Sequence, residues 1–453
     1  MVRGCFHFML VGMLAFVLAG CATSRGSNDY VAQTGSLVQE VPDWSTLTDG
    51  SSVSSLSDLI QSDTLSGLVQ QAIEANPGLQ QTLLTLRIRE AEWQQARSDR
   101  LPDVDAGLSG SKAENEDEIY TGSISVSWEL DLWQKIADES SAASKDVEQQ
   151  LALYQAARDT LAADVMRSWL GLIADQHAIA IQQERLLTLE SNETLILQRY
   201  RNGLGSLEDL DSARSSTLSA RATLENYRES LAQNERALRL LLGDVPSSGS
   251  EAPGRYPAVL TPLAELPSQT LNRRPDLIAA YQAVEAADYR SSAAYKDLLP
   301  SISLEAALED VADSPTEALL KDPIWTLLGQ LTMPLFRGGE LRAAAEAAEL
   351  TTAQAYQSYR EILLTAVQEV EDAIGLERSL GIREQHISDA LNRQEDTLTY
   401  YQSSYRSGLV DILDLLSVQQ DTYDLKAQLD ELKYLRLANR IDLGLALGLG
   451  VNP

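Results

Sequence analysis

The sequence predicts a mostly α fold with a small β part, in which long coiled-coil helices recur as a tandem duplication. Three observations carry that expectation. Asn76-Pro77-Gly78-Leu79 recurs as Arg274-Pro275-Asp276-Leu277, and Leu101-Pro102 as Leu299-Pro300, both at an offset of 198. Tyr200-Arg201-Asn202-Gly203-Leu204 recurs as Tyr405-Arg406-Ser407-Gly408-Leu409 at an offset of 205. Between these markers the apolar residues step by three and four, the spacing of one helix face. The repeat is far longer than a solenoid unit. The chain therefore reads as a first copy, 65–243, a linker, 244–264, a second copy, 265–447, and a tail, 448–453.

Each copy opens with a helix of about 36 residues ending at its Leu-Pro, because Pro cannot continue a helix and biases its predecessor away from the αR region. Two strand-like segments follow, 103–111 with 119–129 in copy one and 301–311 with 324–335 in copy two. Tyr120, Gly122, Ile124, Val126 and Trp128 alternate with Ile119, Thr121, Ser123, Ser125 and Ser127, a period of two with hydroxyls on one face. The seven additional residues of copy two fall within this strand region. Next comes a very long helix, 137–200 or 340–405, about 96 Å at 1.5 Å per residue. A returning helix of about 57 Å follows the Gly203 or Gly408 turn.

The returning helices show the sharpest pattern. Leu210, Ala213, Thr217, Ala220, Leu224, Tyr227, Leu231, Asn234, Leu238 and Leu241 alternate steps of three and four. Adding 205 gives Leu415, Val418, Thr422, Leu425, Leu429, Leu432, Arg436, Asn439, Leu443 and Ala446. A seven-residue repeat held this long specifies a left-handed coiled coil, with Thr and Asn as register-fixing seam residues.

Composition excludes several classes. The 453 residues carry 36 Lys and Arg against 66 Asp and Glu, a net charge of −30, so a nucleic-acid partner is not expected. Two Cys and three His form no metal-binding motif. No nucleophile elbow, dinucleotide fingerprint or P-loop occurs, and no enzyme is expected.

The first 20 residues concern address. Arg3 precedes an apolar run over 6–19, and Leu18-Ala19-Gly20-Cys21 follows, the pattern of an export signal. The run is too short to span a bilayer as a helix. The ending resembles a lipoprotein signal, which implies a lipid on Cys21, a mature charge of −31 and, with Ala22 next, sorting to the outer membrane. Residues 21–64 read as a lipidated Ser/Thr/Gly/Asp-rich tether without helical or strand period.

Four strands of this length suit a membrane, yet four cannot close a barrel, and open edges are not tolerated in lipid. Other chains must complete the sheet, and three would supply twelve strands. Trp128, Trp133 and Trp325 lie at or near strand ends, where an aromatic girdle belongs.

From about Leu65 to Leu447 the chain resembles the TolC-like outer-membrane efflux channels, in their lipoprotein branch. The carriers are Asn76-Pro77-Gly78-Leu79, Leu101-Pro102, Trp128-Glu129-Leu130-Asp131-Leu132-Trp133, Arg273-Arg274-Pro275-Asp276, Leu298-Leu299-Pro300, Met333-Pro334-Leu335-Phe336-Arg337-Gly338-Gly339 and the two Tyr-Arg-x-Gly turns. The chain departs from the family pattern at Gln134, often Gly, and at Ser417-Val418, usually Asp-Ala. The resemblance implies a homotrimer with a 12-stranded β-barrel in the outer membrane and an α-barrel crossing the periplasm. It implies docking on a periplasmic adaptor and an inner-membrane efflux pump. Such a channel is a passive conduit for small compounds, without cofactor beyond the covalent lipid. The alternative is a periplasmic coiled-coil scaffold lipoprotein without a pore.

Candidate functional residues gather at the turns. Ser206 with Asp209, and Asp411 with Asp414, have capping-box spacing, and Gly203 and Gly408 suit helix C′ positions. Asp414, Asp411 and Asp209 are the candidates for an acidic pore constriction, and Tyr405 and Arg406 for contacts that hold it closed.

The lipoprotein signal generates the first prediction. Cys21→Ser abolishes acyl labelling of the mature protein while oligomers still form; unchanged labelling contradicts the assignment.

Overall fold

The computed structural model describes residues 29–45, 51, 53–115, 117–244, 254–264 and 267–451. The signal segment and Cys21 lie outside them. The elements in chain order are α1 (Tyr30–Leu37), α2 (Asp63–Ala75), α3 (Pro77–Ser98), β1 (Asp103–Ser111), β2 (Ile119–Glu129), α4 (Lys135–Arg201) and α5 (Leu207–Leu241). The second copy continues with α6 (Pro267–Leu271), α7 (Pro275–Lys296), β3 (Ser301–Ala312), β4 (Ile324–Thr332), α8 (Glu340–Arg406) and α9 (Ile412–Ala446). Both long helices have 67 residues and both returning helices 35. The described residues divide into two compact units, one drawn from 29–40, 84–153 and 276–362, the other from 41–83, 154–275 and 363–451.

The first unit contains the sheet, ordered β1-β2-β3-β4 with every neighbour antiparallel. The additional seven residues of copy two divide between strand and turn: β3 is three residues longer than β1, and its turn four residues longer. Asp310 organises that longer turn, accepting the Lys321 N–H at 2.7 Å and the Asp322 N–H at 3.2 Å. Ala318 folds back so that its carbonyl occupies the space a Cβ at Gly122 would need. β4 ends at Thr332, three residues short of the expected 335, because Met333-Pro334 leads out of the ladder and Pro has no N–H to give.

The motifs at the sheet-to-helix junctions have local causes. Asp131 accepts the N–H groups of Ile136 and Ala137 at 3.2 and 2.8 Å, capping α4. Gln134 holds a left-handed φ of 61°, and its counterpart 205 residues on is Gly339 at 91°. The turn thus requires positive φ in both copies, which explains why Gly suits position 134. Trp133 donates its indole N–H to the Pro300 carbonyl at 2.6 Å, and Trp128 to that of Arg100 at 3.1 Å.

In the second unit the expected 36-residue opening helices are each broken, a correction to the sequence reading. Pro77 and Pro275 start new helices, and the residue before Pro77, Asn76, is extended at ψ 120°. The two breaks are pinned alike. Asn76 donates its side-chain amide to the Leu241 carbonyl at 2.9 Å and accepts the Leu79 N–H at 3.0 Å. Arg274 donates to the Ala446 carbonyl at 3.0 Å, and Leu241 and Ala446 are 205 residues apart. Each break is therefore bonded to the last turn of its own returning helix.

Four helix ends carry the same Schellman motif. At Gly203 the Gly N–H reaches Tyr200 and the Leu204 N–H reaches Arg199, with the same pair of bonds at Gly243, Gly408 and Gly448. The four φ values lie between 69° and 73°. The predicted seams are buried or half-buried along both returning helices, with Asn234 the one exposed member. Thr217 and Thr422 satisfy their hydroxyls on the carbonyls four residues back. The main core joins α2, α4 and the ends of α5 and α9 around Trp169, Leu170 and Ile173.

The tether reading needs correction too. Residues 30–37 form α1, capped by Asp29, and Leu56 and Leu59 are fully buried in the core. Ser51 and Ile60 bridge to Pro262 and Val259, so part of the linker and part of the tether share backbone bonds. The tail is likewise core, since Leu449 and Val451 are buried and the Gly450 carbonyl accepts the Leu56 N–H at 3.0 Å. Buried Asp159 accepts the Val451 N–H at 3.0 Å, and its burial pushes its carboxyl up.

The glycine ends give a graded test. Gly203→Ala meets open space and should cost about 1 kcal/mol, the left-handed strain of an L residue. Gly243→Ala drives its methyl into the Ala75 carbonyl and should cost more than about 2 kcal/mol. Thermal unfolding of the two variants in detergent checks the order.

Candidate functional site

Two features can act on a solute: one face of the sheet and the hairpin tips. Directly paired residues on adjacent strands share a face. The register puts Val104, Ala106 and Leu108 with Gly122, Ile124, Val126 and Trp128, then with Leu304, Ala306 and Leu308 and with Trp325, Leu327 and Leu331. That face is almost wholly apolar, Asp310 being spent on its turn. The other face carries Asp103, Asp105, Glu129, Glu305 and Glu309 among serine and threonine hydroxyls, with Leu328 and Ile324 of β4 opposite Glu305 and Glu309. All five carboxylates are exposed, and the four strands contain no Lys or Arg. Asp103 lies opposite Ser127, which lies opposite Glu305.

The sequence reading identified the hydroxyl side of β2 and missed these acids. Their signal was present: Asp103 and Asp105 alternate with Val104 and Ala106, and Glu305 and Glu309 with Leu304 and Leu308. The two faces have opposite polarity, the arrangement of a strand between hydrocarbon and water. Trp128 and Trp325 lie toward opposite ends of the sheet, as the pairings Trp128 with Leu304 and Trp325 with Leu308 require.

At the tips the structure gathers residues from both copies. A groove of about 410 Å³ is lined by Arg199, Gly203, Ser206, Asp209, Asp411 and Ile412, among others. Ser206 and Asp209 form a reciprocal capping box, with the Asp209 N–H on the Ser206 hydroxyl at 3.0 Å and the Ser206 N–H on the Asp209 carboxylate at 3.1 Å. The Ser206 hydroxyl and amide hold the Asp209 carboxyl below the usual range. The matching box at Asp411 and Asp414 does not form: Asp411 accepts the adjacent Ile412 N–H instead, and Asp414 is exposed.

The sequence set Tyr405 and Arg406 against Asp414. Within the chain, Tyr405 faces Arg199, whose guanidinium approaches its hydroxyl at 3.5 Å and the Leu204 carbonyl at 3.4 Å. That bond to Tyr405, with the carboxylates of Asp411 and Asp209, holds the Arg199 guanidinium above its ordinary range. Arg406 is exposed. Arg199 was not singled out in the sequence, since a basic residue in a last helical turn reads as dipole compensation. It is the cation at the junction of the two copies' tips.

A sequence model of the outer membrane efflux protein family matches residues 68–244 and again 266–449. Outer membrane protein OprJ of Pseudomonas aeruginosa is 28% identical over 410 residues, which cover 84% of this chain and 83% of the relative. The probable outer membrane lipoprotein SilC of Salmonella typhimurium is 26% identical over 398 residues, covering 85% and 86%. Among solved structures, a membrane protein from Pseudomonas aeruginosa aligns at a TM-score of 0.81 and 26% identity, over 90% of this chain and all of the other. The Campylobacter jejuni CmeC outer membrane channel aligns at 0.81 over 90% and 91%, at 19% identity, a likeness of fold. Matched over both copies and sharing that fold, the chain belongs to the outer membrane efflux protein family: it is an outer-membrane protein of TolC-like fold, and not an enzyme.

Proposed function

We propose that three copies of this chain assemble into a passive efflux conduit through the outer membrane. The observation that carries the reading is the sheet: four strands with both edges open, one apolar face and one acidic face. Strands in hydrocarbon must be paired on both sides, and closed barrels start near eight strands. Three copies give twelve, with the apolar face toward lipid and the acids toward water. A scaffold without a pore has no use for a sheet of this polarity.

The helical copies would then line a periplasmic tunnel whose tips meet an adaptor protein and an inner-membrane pump. The lipid on Cys21 would add an anchor, and SilC, a relative, is itself named a lipoprotein. For cargo, small organic compounds fit better than soft metal ions. The mature chain keeps two Met and two His, and Met166 is buried in the core. A thioether or imidazole path has little to work with.

Two measurements test this reading. The protein extracted in detergent should run as a trimer and conduct in planar bilayers; a monomer without conductance defeats the conduit. The open channel should prefer cations, because each protomer would bring five carboxylates and no strand cation to the lumen. Glu305→Gln with Glu309→Gln should move the reversal potential in a salt gradient toward the non-selective value. No movement would place that face away from the permeation path.

A separate test concerns the tip. Three copies of Asp414 around a narrow axis would attract divalent cations. Millimolar divalent ions on the periplasmic side should reduce conductance, and Asp414→Asn should remove most of that block without lowering trimer stability. Equal block in both proteins would return Asp414 to a surface role and direct attention to Asp411 and Asp209.

A further inference from the structure

The two copies differ where duplication should have left them alike. In copy one, Leu172 on α4 and Leu231 on α5 belong to one apolar cluster, with Ile179 half-buried two helical turns along from Leu172. The residues 205 positions on are Glu377 and Glu384 of α8 and Arg436 of α9. Three apolar residues in one copy thus match two acids and a base in the other.

These three engage one another. Glu377 is 4% exposed, and one carboxylate oxygen accepts from Arg436 Nε at 2.9 Å and from Arg440 at 3.0 and 3.1 Å. Arg436 also donates to Glu384 at 2.9 Å. Arg440 donates its remaining arm to the Val259 carbonyl at 2.6 Å, and its own counterpart in copy one is Glu235. Gly381, lacking a side chain, lets the Arg436 guanidinium lie against α8.

A buried ion pair is a weak source of stability compared with apolar packing, but breaking it strands a desolvated charge. That asymmetry makes it suited to discrimination. A duplicated chain carries a hazard of its own: α5 and α9 share length and seam period, so α8 meets two similar partners. Against α5, Glu377 and Glu384 would face Leu231 with no guanidinium. Against α4, Arg436 would face Leu172 and Ile179 in place of Glu377 and Glu384, and Asp175 between them would be taken by Asn439, as it is by Asn234 in the native pair at 2.6 Å. We propose that Glu377, Glu384 and Arg436, backed by Arg440, form a pairing code by which α8 accepts α9 and rejects α5.

Disulfide trapping tests the code, using one cysteine on α8 and two alternative partners. Asn439 donates to the Ala373 carbonyl at 3.0 Å, so Ala373→Cys with Asn439→Cys reports the native pair. Asn234 is the copy-one counterpart of Asn439, so Ala373→Cys with Asn234→Cys reports the wrong pair. Each pair is formed during expression of the full chain and read as the intrachain disulfide by mass spectrometry. With the code intact, the wrong pair should form at about one hundredth of the native yield, the ratio expected from stranding one buried charge. Glu377→Leu, Glu384→Ile, Arg436→Leu and Arg440→Glu together make the copies alike at these four positions and should raise the wrong pair about tenfold or more. Should that variant fail to fold, the reciprocal change applies: Leu172→Glu, Ile179→Glu, Leu231→Arg and Glu235→Arg write the same code into copy one. It should raise the wrong pair similarly, because α5 then offers what α9 offers. A wrong-pair yield unchanged from wild type in whichever variant folds would overturn the proposal.

Discussion

A strand in hydrocarbon has no water to bond its amides, and this chain leaves two strands short of a partner. β1 and β4 each pair along one side only, and the two lie at opposite edges of the sheet. In the proposed trimer, closure by further copies would meet that demand. One sheet face is apolar and the other carries five acids, so in that assembly the side chains of a single copy would decide the direction of closure. The turn after β3 is fastened by Asp310 and lies against Gly122 of β2, an inner strand. On the proposed reading, a single copy is a sector of a trimer.

Much of this was legible in the sequence, for identifiable reasons. The duplication showed because Pro and Gly mark places where the backbone itself is special. Pro77, Pro275, Gly203 and Gly408 all sit at the ends or starts of helices. The seams showed because burial along one helix face imposes a period on ten positions at once. What stayed hidden was of another kind. The opening helices were read through their prolines, since the break depends on Asn76 and Arg274 reaching carbonyls about 170 residues away. The tether was read as unstructured because Leu56 and Leu59 acquire a core only from distant segments, lying against Gly444 of α9 within the cluster built by α2 and α4. Arg199 was hidden because its partner, Tyr405, belongs to the other copy.

The acidic sheet face lies between those cases. Its residues alternate visibly, but β1 and β3 also hold Gly and Ala at positions that blur the period. Register sorts them: once Ser127 is known to lie between Asp103 and Glu305, the acids fall on one side. Charge at the tips is organised differently. There Arg199 stands among Asp209, Asp411 and the Tyr405 hydroxyl, so positive and negative groups are interleaved where the two copies meet.

The pins at the two helix breaks differ in a way that bears on mechanics. Asn76 is neutral and holds one carbonyl, that of its own returning helix. Arg274 holds the equivalent carbonyl but, being charged and buried, must also be neutralised, and it reaches Glu369 of α8 at 2.7 Å. The first break is thus fastened to one helix and the second to two. A joint with one pin can swivel, whereas a joint with two behaves as a bracket.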